Sequence, residues 1–291
     1  MKNLITRSIT GVLFVAVMVT GICLRGDAMI LLFALITGLT MWEYTGLVNE
    51  VKDVTVNRFI STAAGVYLFL AMAGFCADMV PSAVFIPYLL TIIYLFVSEL
   101  YTGNKNAINV WAHTMLGQMY VALPFSCINV LAFQHNPADG SVFYNWLMPM
   151  SIYIFLWLND TGAYCSGSLF GKHKLFPRIS PAKSWEGSIG GAILVLLSAA
   201  IIGYATSQHG LPSPFGEEFS TKLILQWMGL GLTVVFFGTW GDLVESLFKR
   251  TLGIKDSGNI LPGHGGMLDR FDSSLMAIPA AVVYLYTLSF F

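Results

Sequence analysis

The chain has 291 residues, of which 56% are hydrophobic and 11% charged, with 15 Lys and Arg against 16 Asp and Glu. Ordinary soluble domains carry about a quarter charged residues. This composition therefore excludes a disordered chain, a coiled coil and a nucleic-acid binder with a basic face, and it leaves too few charges for the skin of a soluble enzyme.

Nine apolar runs follow in chain order, at about 8–24, 28–48, 59–77, 80–100, 110–133, 146–165, 188–207, 222–241 and 273–291. Each approaches the roughly 20 residues that a helix needs to cross the hydrocarbon core. Backbone amides find no water there, and the runs are too continuous for barrel strands. The expected fold is all-α: a polytopic integral membrane protein of about nine transmembrane helices. The first run follows Lys2 and Arg7 as a signal peptide would, but no A-x-A cleavage site comes after it. It is read as a retained first helix. Cys23, Cys76, Cys127 and Cys165 lie in or beside apolar runs without paired spacing, and are read as small apolar side chains.

With nine spans and a cytoplasmic N-terminus, the inner segments hold Lys2, Arg7, Lys52, Arg58, Lys105, Lys172, Lys174, Arg178, Lys183, Lys249, Arg250, Lys255 and Arg270, and the outer ones only Arg25 and Lys222. That bias matches the positive-inside rule, and the reverse orientation inverts it. The stretch QHNPADGSVFYN, 134–145, has no Lys or Arg and is expected outside. The whole chain, 1–291, reads as one membrane domain. Residues 1–145 form a scaffold of five spans, and residues 146–291 a catalytic half of four spans with polar cytoplasmic segments at 160–187 and 240–272. The expected location is the cell (inner or plasma) membrane, with the active site facing the cytoplasm.

The two polar segments hold 15 of the 31 charged residues in about a fifth of the chain. In the second, Asp242, Glu245, Ser246 and Lys249 fall at i, i+3, i+4 and i+7 and share one helix face. The eighth span is therefore expected to run past the membrane and present a polar stripe; a solvated helix end with internal ion pairs is the plainer alternative. GIKDSGNILPGHGG comes next, too rich in Gly and Pro for a helix. Glycines let backbone N–H groups approach a phosphate closely, although such a loop can also be a simple turn. LDRFD then sets Asp269 and Asp272 three apart at the start of the last span. Their carboxylates are hard oxygen ligands suited to Mg²⁺, and N-capping by Asp272 or Ser273 is the alternative. Carboxylates, cations and a Gly-rich loop together fit phosphoryl or nucleotidyl transfer with a divalent metal. GSLFGK does not have Walker spacing, and no HExxH, GxSxG or CxxC site appears. His113, His135, His173 and His209 carry no signal.

The run from Ser246 to Asp272, SLFKRTLGIKDSGNILPGHGGMLDRFD, resembles the signature of the phosphatidate cytidylyltransferases, or CDP-diacylglycerol synthases. That pattern is Ser, Lys-Arg, Lys-Asp, His-Gly-Gly and Asp-Arg-x-Asp at these spacings, and each position matches across 27 residues. NDTGAY at 159–164 and SPAKSWEG at 180–187 also resemble family segments. The second departs from the commoner SPKKTWEG at Ala182 and Ser184. Glu43, in MWEY, is family-like and has no assignable role.

The resemblance implies that phosphatidate attacks the α-phosphorus of CTP, giving CDP-diacylglycerol and pyrophosphate with Mg²⁺, a second cation being a further expectation. Both substrates are anionic, so cations and positioning matter more than a strong base. Asp242, Asp269 and Asp272 are the expected metal ligands, supported by Asp256. Lys249, Arg250, Lys255 and Arg270 would hold phosphates, with Ser246 in the substrate site. His264, Gly265 and Gly266 would line the phosphate loop. Lys183, Ser180 and Asp160 would close the site from the first segment. The expected partners are CTP, phosphatidate and the lipid bilayer, with no nucleic acid; similarity to the family suggests a homodimer. A CTP-dependent polyprenol or phytol kinase is the nearer alternative. A transporter is the remote one, because it predicts charges within spans and a duplicated half.

Overall fold

The structure is a computed structural model describing residues 2–104, 106–136, 139–216, 219–258, 260 and 265–288. Ten α-helices and two small hairpins make up the described chain, and a helix occupies each of the nine apolar stretches. Among the described residues, seven helices are long and apolar enough to cross a membrane: Gly26–Val48, Arg58–Cys76, Ser82–Thr102, Ala107–Ala132, Trp185–His209, Thr221–Thr251 and Leu268–Leu288. The chain is a multi-pass, all-α membrane protein. Two expected spans remain. The first lies on the helix Lys2–Leu24, whose stretch Ser8–Leu24 is apolar. Leu147–Phe170 is long enough, at 24 residues, but carries Asn159, Asp160, Ser166 and Ser168 in its second half.

Two compact units divide the chain. The first comprises Met1–Tyr144 with Thr251–Phe271, and the second Asn145–Arg250 with Asp272–Phe291. The second polar segment is thus shared between units, at Thr251 and again within the last helix.

In the first unit, α1 (Lys2–Leu24), α2 (Gly26–Val48), α3 (Arg58–Cys76), α4 (Ile86–Thr102), α5 (Ala107–Gly117) and α6 (Leu123–Ala132) follow in order. A π turn over Gln118–Ala122 joins α5 to α6. There Gln118 Nε2 donates to the Ser61 carbonyl at 2.8 Å, tying the bulge to α3. Phe125 meets Phe271 edge-on at 5.6 Å, and Phe33 and Phe14 extend this aromatic core. The unit also carries an antiparallel hairpin, β1 (Phe133–His135) with β2 (Val142–Tyr144).

The second unit consists of α7 (Leu147–Phe170), the hairpin β3 (Lys174–Phe176) and β4 (Ser180–Ser184), α8 (Trp185–His209), α9 (Thr221–Thr251) and most of α10 (Leu268–Leu288). Its core includes Ile152, Phe155, Val195, Trp227 and Ile278, each essentially inaccessible. α7 and α8 touch backbone to backbone: a Cβ on Gly162 would lie 2.9 Å from the Gly191 Cα, and one on Gly187 would lie 2.9 Å from the Ala163 carbonyl oxygen. Small residues at such crossings let membrane helices approach closely. α9 continues through Asp242 and Lys249 to Thr251, as the polar stripe requires, and Gly253 follows with φ +72°. α10 begins at Leu268, so neither Asp272 nor Ser273 caps it; the Asp272 carboxylate instead accepts from the Ser273 amide.

Candidate active site

The second unit gathers its charges where α7, β4, α9 and α10 meet. Lys183 on β4 places Nζ 2.5 Å from Asp242 Oδ2 on α9, with 26% and 28% of the two side chains exposed. Ser246, one turn on, donates to Asp242 Oδ1 at 3.2 Å. Asp272 on α10 is half-buried, and its charged neighbours are Asp242, Asp160 and Lys183. The backbone explains this neighbourhood. A Cβ on Gly241 would stand 2.7 Å from the Asp272 carbonyl oxygen and 3.1 Å from the Ser273 Cα, so glycine here lets α9 and α10 meet beside Asp242.

A cavity of about 350 Å³ adjoins the cluster and is lined by Asn159, Asp160, Tyr164, Lys183, Ser184, Ser188 and Thr239, among others. Ser184 also caps α8, accepting from the Gly187 amide at 3.2 Å. Beside it, His173 Nδ1 lies 2.6 Å from Glu186 Oε1, which holds the hairpin to the first turn of α8.

The polar stripe on α9 separates into two pairs. Asp242 bonds Ser246, while Lys249 bonds Glu245 at 2.6 Å. Glu245 has no exposed surface and Lys249 has 12%, so this half of the stripe is a buried ion pair and not a solvated face.

The first unit holds the Gly-rich loop by two carboxylates. Asp269 Oδ2 accepts from the Ser257 and Gly266 amides, both at 2.8 Å. Glu43, in the C-terminal turns of α2 and 7% exposed, accepts from Ser257 Oγ at 2.5 Å and from the Met267 and Leu268 amides at 2.9 Å each. Gly265 adopts φ +83°, the left-handed region where a side chain is strained, and a Cβ there would also crowd the Asp269 carboxylate.

Residues 5–288 match the model of the cytidylyltransferase family. The chain belongs to the cytidylyltransferase family. Its similar relatives include the phosphatidate cytidylyltransferase of Haemophilus influenzae, 33% identical over 265 residues, which are 85% of this chain and 87% of that one. The enzymes of the same name from Staphylococcus haemolyticus and Staphylococcus aureus are 33% and 32% identical, each over 96% of this chain and 98% of their own. By family, then, the protein is a nucleotidyltransferase.

In this cytidylyltransferase, Asp160, Lys183, Asp242, Ser246 and Asp272 come together in the second unit, with Ser180 at the start of β4. Lys249 stands on Glu245, and Arg250 is exposed at the end of α9. In the first unit, Gly265 and Gly266 stand against the Asp269 carboxylate, while Lys255, Asp256 and Arg270 are exposed. His264, with Pro262 and Gly263, lies outside the described residues, as does Lys105. Among the described residues no group of three or more His, Cys, Asp or Glu side chains forms a ready metal site. Sequence reasoning passed over Thr239, Ser188 and Ser257, lone hydroxyls in apolar or Gly-rich surroundings with no spacing signal of their own. It noticed Glu43 without a role.

Proposed function

We propose that the protein transfers the cytidylyl group of CTP to phosphatidate, forming CDP-diacylglycerol and releasing pyrophosphate. A phosphate oxygen of phosphatidate bonds to the α-phosphorus of CTP. The bond from that phosphorus to the oxygen bridging to the β-phosphate breaks, and that oxygen leaves with the electron pair as part of pyrophosphate. The phosphate monoester is largely dianionic near neutral pH, its second pKa being about 6, so the nucleophile needs no strong base. What the site must overcome is repulsion between two polyanions.

The observation that carries this reading is the convergence of Lys183, Asp242, Asp160 and Asp272 beside a cavity that Asp160 and Lys183 line. Three carboxylates beside one ammonium leave an excess of negative charge, an environment that attracts a divalent cation. Mg²⁺ usually takes one or two carboxylates and completes its shell with water and substrate phosphates. Asp242 and Asp272 suit that demand; in the first unit Asp269, the third expected ligand, has its Oδ2 on the Ser257 and Gly266 amides. When bound, Mg²⁺ would neutralise phosphate charge. Lys183 would contribute its ammonium to the phosphates on the same side, and Asp242, held by Ser246 and Lys183, would keep a fixed rotamer. The exposed Arg250, Lys255 and Arg270 would receive phosphate groups. We place the N-terminus, both polar segments and the site on the cytoplasmic side of the cell membrane, where CTP is dissolved and the phosphatidate headgroup lies.

Membranes carrying the protein should convert labelled CTP and phosphatidate, with Mg²⁺, into a labelled lipid and pyrophosphate, and Asp242→Asn should abolish this. Labelled CDP in place of pyrophosphate would mark a kinase. No labelled product from well-expressed protein would refute both readings.

A further inference from the structure

Glu43 is buried within α2, far in sequence from the polar segments, yet its carboxylate holds both ends of the Gly-rich loop. Ser257 Oγ donates to Oε1 at 2.5 Å, the Leu268 amide donates to Oε1 at 2.9 Å, and the Met267 amide donates to Oε2 at 2.9 Å. Ser257 is also the point where Glu43 and Asp269 join, since its amide donates to Asp269 Oδ2 and its Oγ accepts from the Asp269 amide at 3.3 Å. The glycines fit the same arrangement. A Cβ on Gly258 would come within 2.6 Å of Glu43 Oε2, and one on Gly266 would strike both Glu43 oxygens and Ser257 Oγ. Gly258 and Gly266 thus stand against the Glu43 carboxylate at positions where any side chain would push it away.

All three of these groups are donors, and a carboxylate offers only acceptors. A glutamine of the same shape would turn an NH₂ toward at least one of them. Left unmet, a buried donor costs far more than an ordinary hydrogen bond yields. We propose that Glu43 is a positioning residue for the phosphate-binding loop: it fixes Ser257 against the start of α10 and so sets the separation of the loop's two ends and the placement of Asp269. This rests on the reading of that loop as a phosphate site.

The test uses the full-length protein in lipid nanodiscs with Glu43→Gln and Ser257→Ala. In Glu43→Gln, peptides covering Met267 and Leu268 should exchange amide hydrogens about tenfold faster or more, while peptides within α3 stay as they were. KM for one of the two phosphate substrates should rise about tenfold, with that for the other within about twofold. Ser257→Ala should shift both readouts the same way but less, and the double variant should be no worse than Glu43→Gln. If Glu43→Gln fails to fold, Ser257→Ala carries the test. Unchanged exchange at Met267 and Leu268 would overturn the proposal. So would a lower melting temperature with both KM values unchanged, since Glu43 would then be a structural brace only. A wild-type protein that makes no labelled lipid would instead count against the assigned reaction, and the exchange result would still stand.

Discussion

The charged side chains that pair in this protein divide into two kinds by what surrounds them. Lys249 sits on a fully buried Glu245, so its charge is already spent within α9. Lys183 meets an Asp242 whose neighbourhood holds two more carboxylates, and both partners remain about a quarter exposed, within reach of a ligand. Lys183→Met should therefore lower kcat/KM about a hundredfold, comparable to removing one preorganised charge-stabilising donor. Its effect on folding should be small, about 1 kcal/mol or less, because the pair is partly solvated. Lys183→Arg should recover only part of the activity, since a planar fork does not replace a compact ammonium. Steady-state turnover and a melting curve on the same preparations separate the two effects, and near-normal turnover in Lys183→Met would take this lysine out of the site. The lysine and the aspartates were legible in the sequence, because cations and carboxylates are rare in so apolar a chain. The hold of Glu43 on the loop was not: its partners lie 214 to 225 positions away, and no spacing rule spans that distance.

At the scale of elements, helix contact places the carboxylates. At Gly241 the backbones of α9 and α10 meet, and the atoms a methyl group would encounter there are backbone, which cannot turn aside. Alanine is the better helix former by about 1 kcal/mol, so an open site would gain from the change. Here overpacking of about 1–3 kcal/mol should win. Gly241→Ala is expected to lower both the melting temperature and the turnover, because Asp242 moves with its helix. Gly231→Ala is the comparison: its new Cβ would meet Val195 Cγ1 and the Ala199 Cβ at 3.1 and 3.2 Å, milder contacts than the 2.7 Å at Gly241. If Gly241→Ala were as well tolerated as Gly231→Ala, the α9–α10 contact would not be what sets Asp242. The helices themselves were readable, since unpaired backbone in lipid leaves few choices. The two hairpins were not: three-residue strands such as β1 and β3 leave no periodic pattern to read.

For the molecule as a whole, the orientation of everything after Asn145 turns on α7. The helix is 24 residues long, or about 36 Å at 1.5 Å per residue, enough to cross a hydrocarbon core of about 30 Å. Its low apolarity has a physical reason. Met148, Ile152, Phe155 and Leu156 are buried among protein, and the polar groups follow from Asn159 onward. A helix enclosed by its neighbours need not be apolar on every face, and polar groups facing the interior are where function concentrates. If α7 crosses, the hairpin before it, which has no Lys or Arg, stays outside and the hairpin after it, with Lys172, Lys174, Arg178 and Lys183, stays in the cytoplasm, as the positive-inside rule prefers. If α7 does not cross, both hairpins share one side, and the site loses access either to CTP or to its basic flank. In a background with the four native cysteines replaced by serine, a cysteine at Gly140 should react with a membrane-impermeant maleimide in intact cells. One at Lys174 should react only after permeabilisation. Labelling of both from the same side would show that α7 does not span, and would overturn the placement of the site on the cytoplasmic face together with the odd number of crossings that this placement requires.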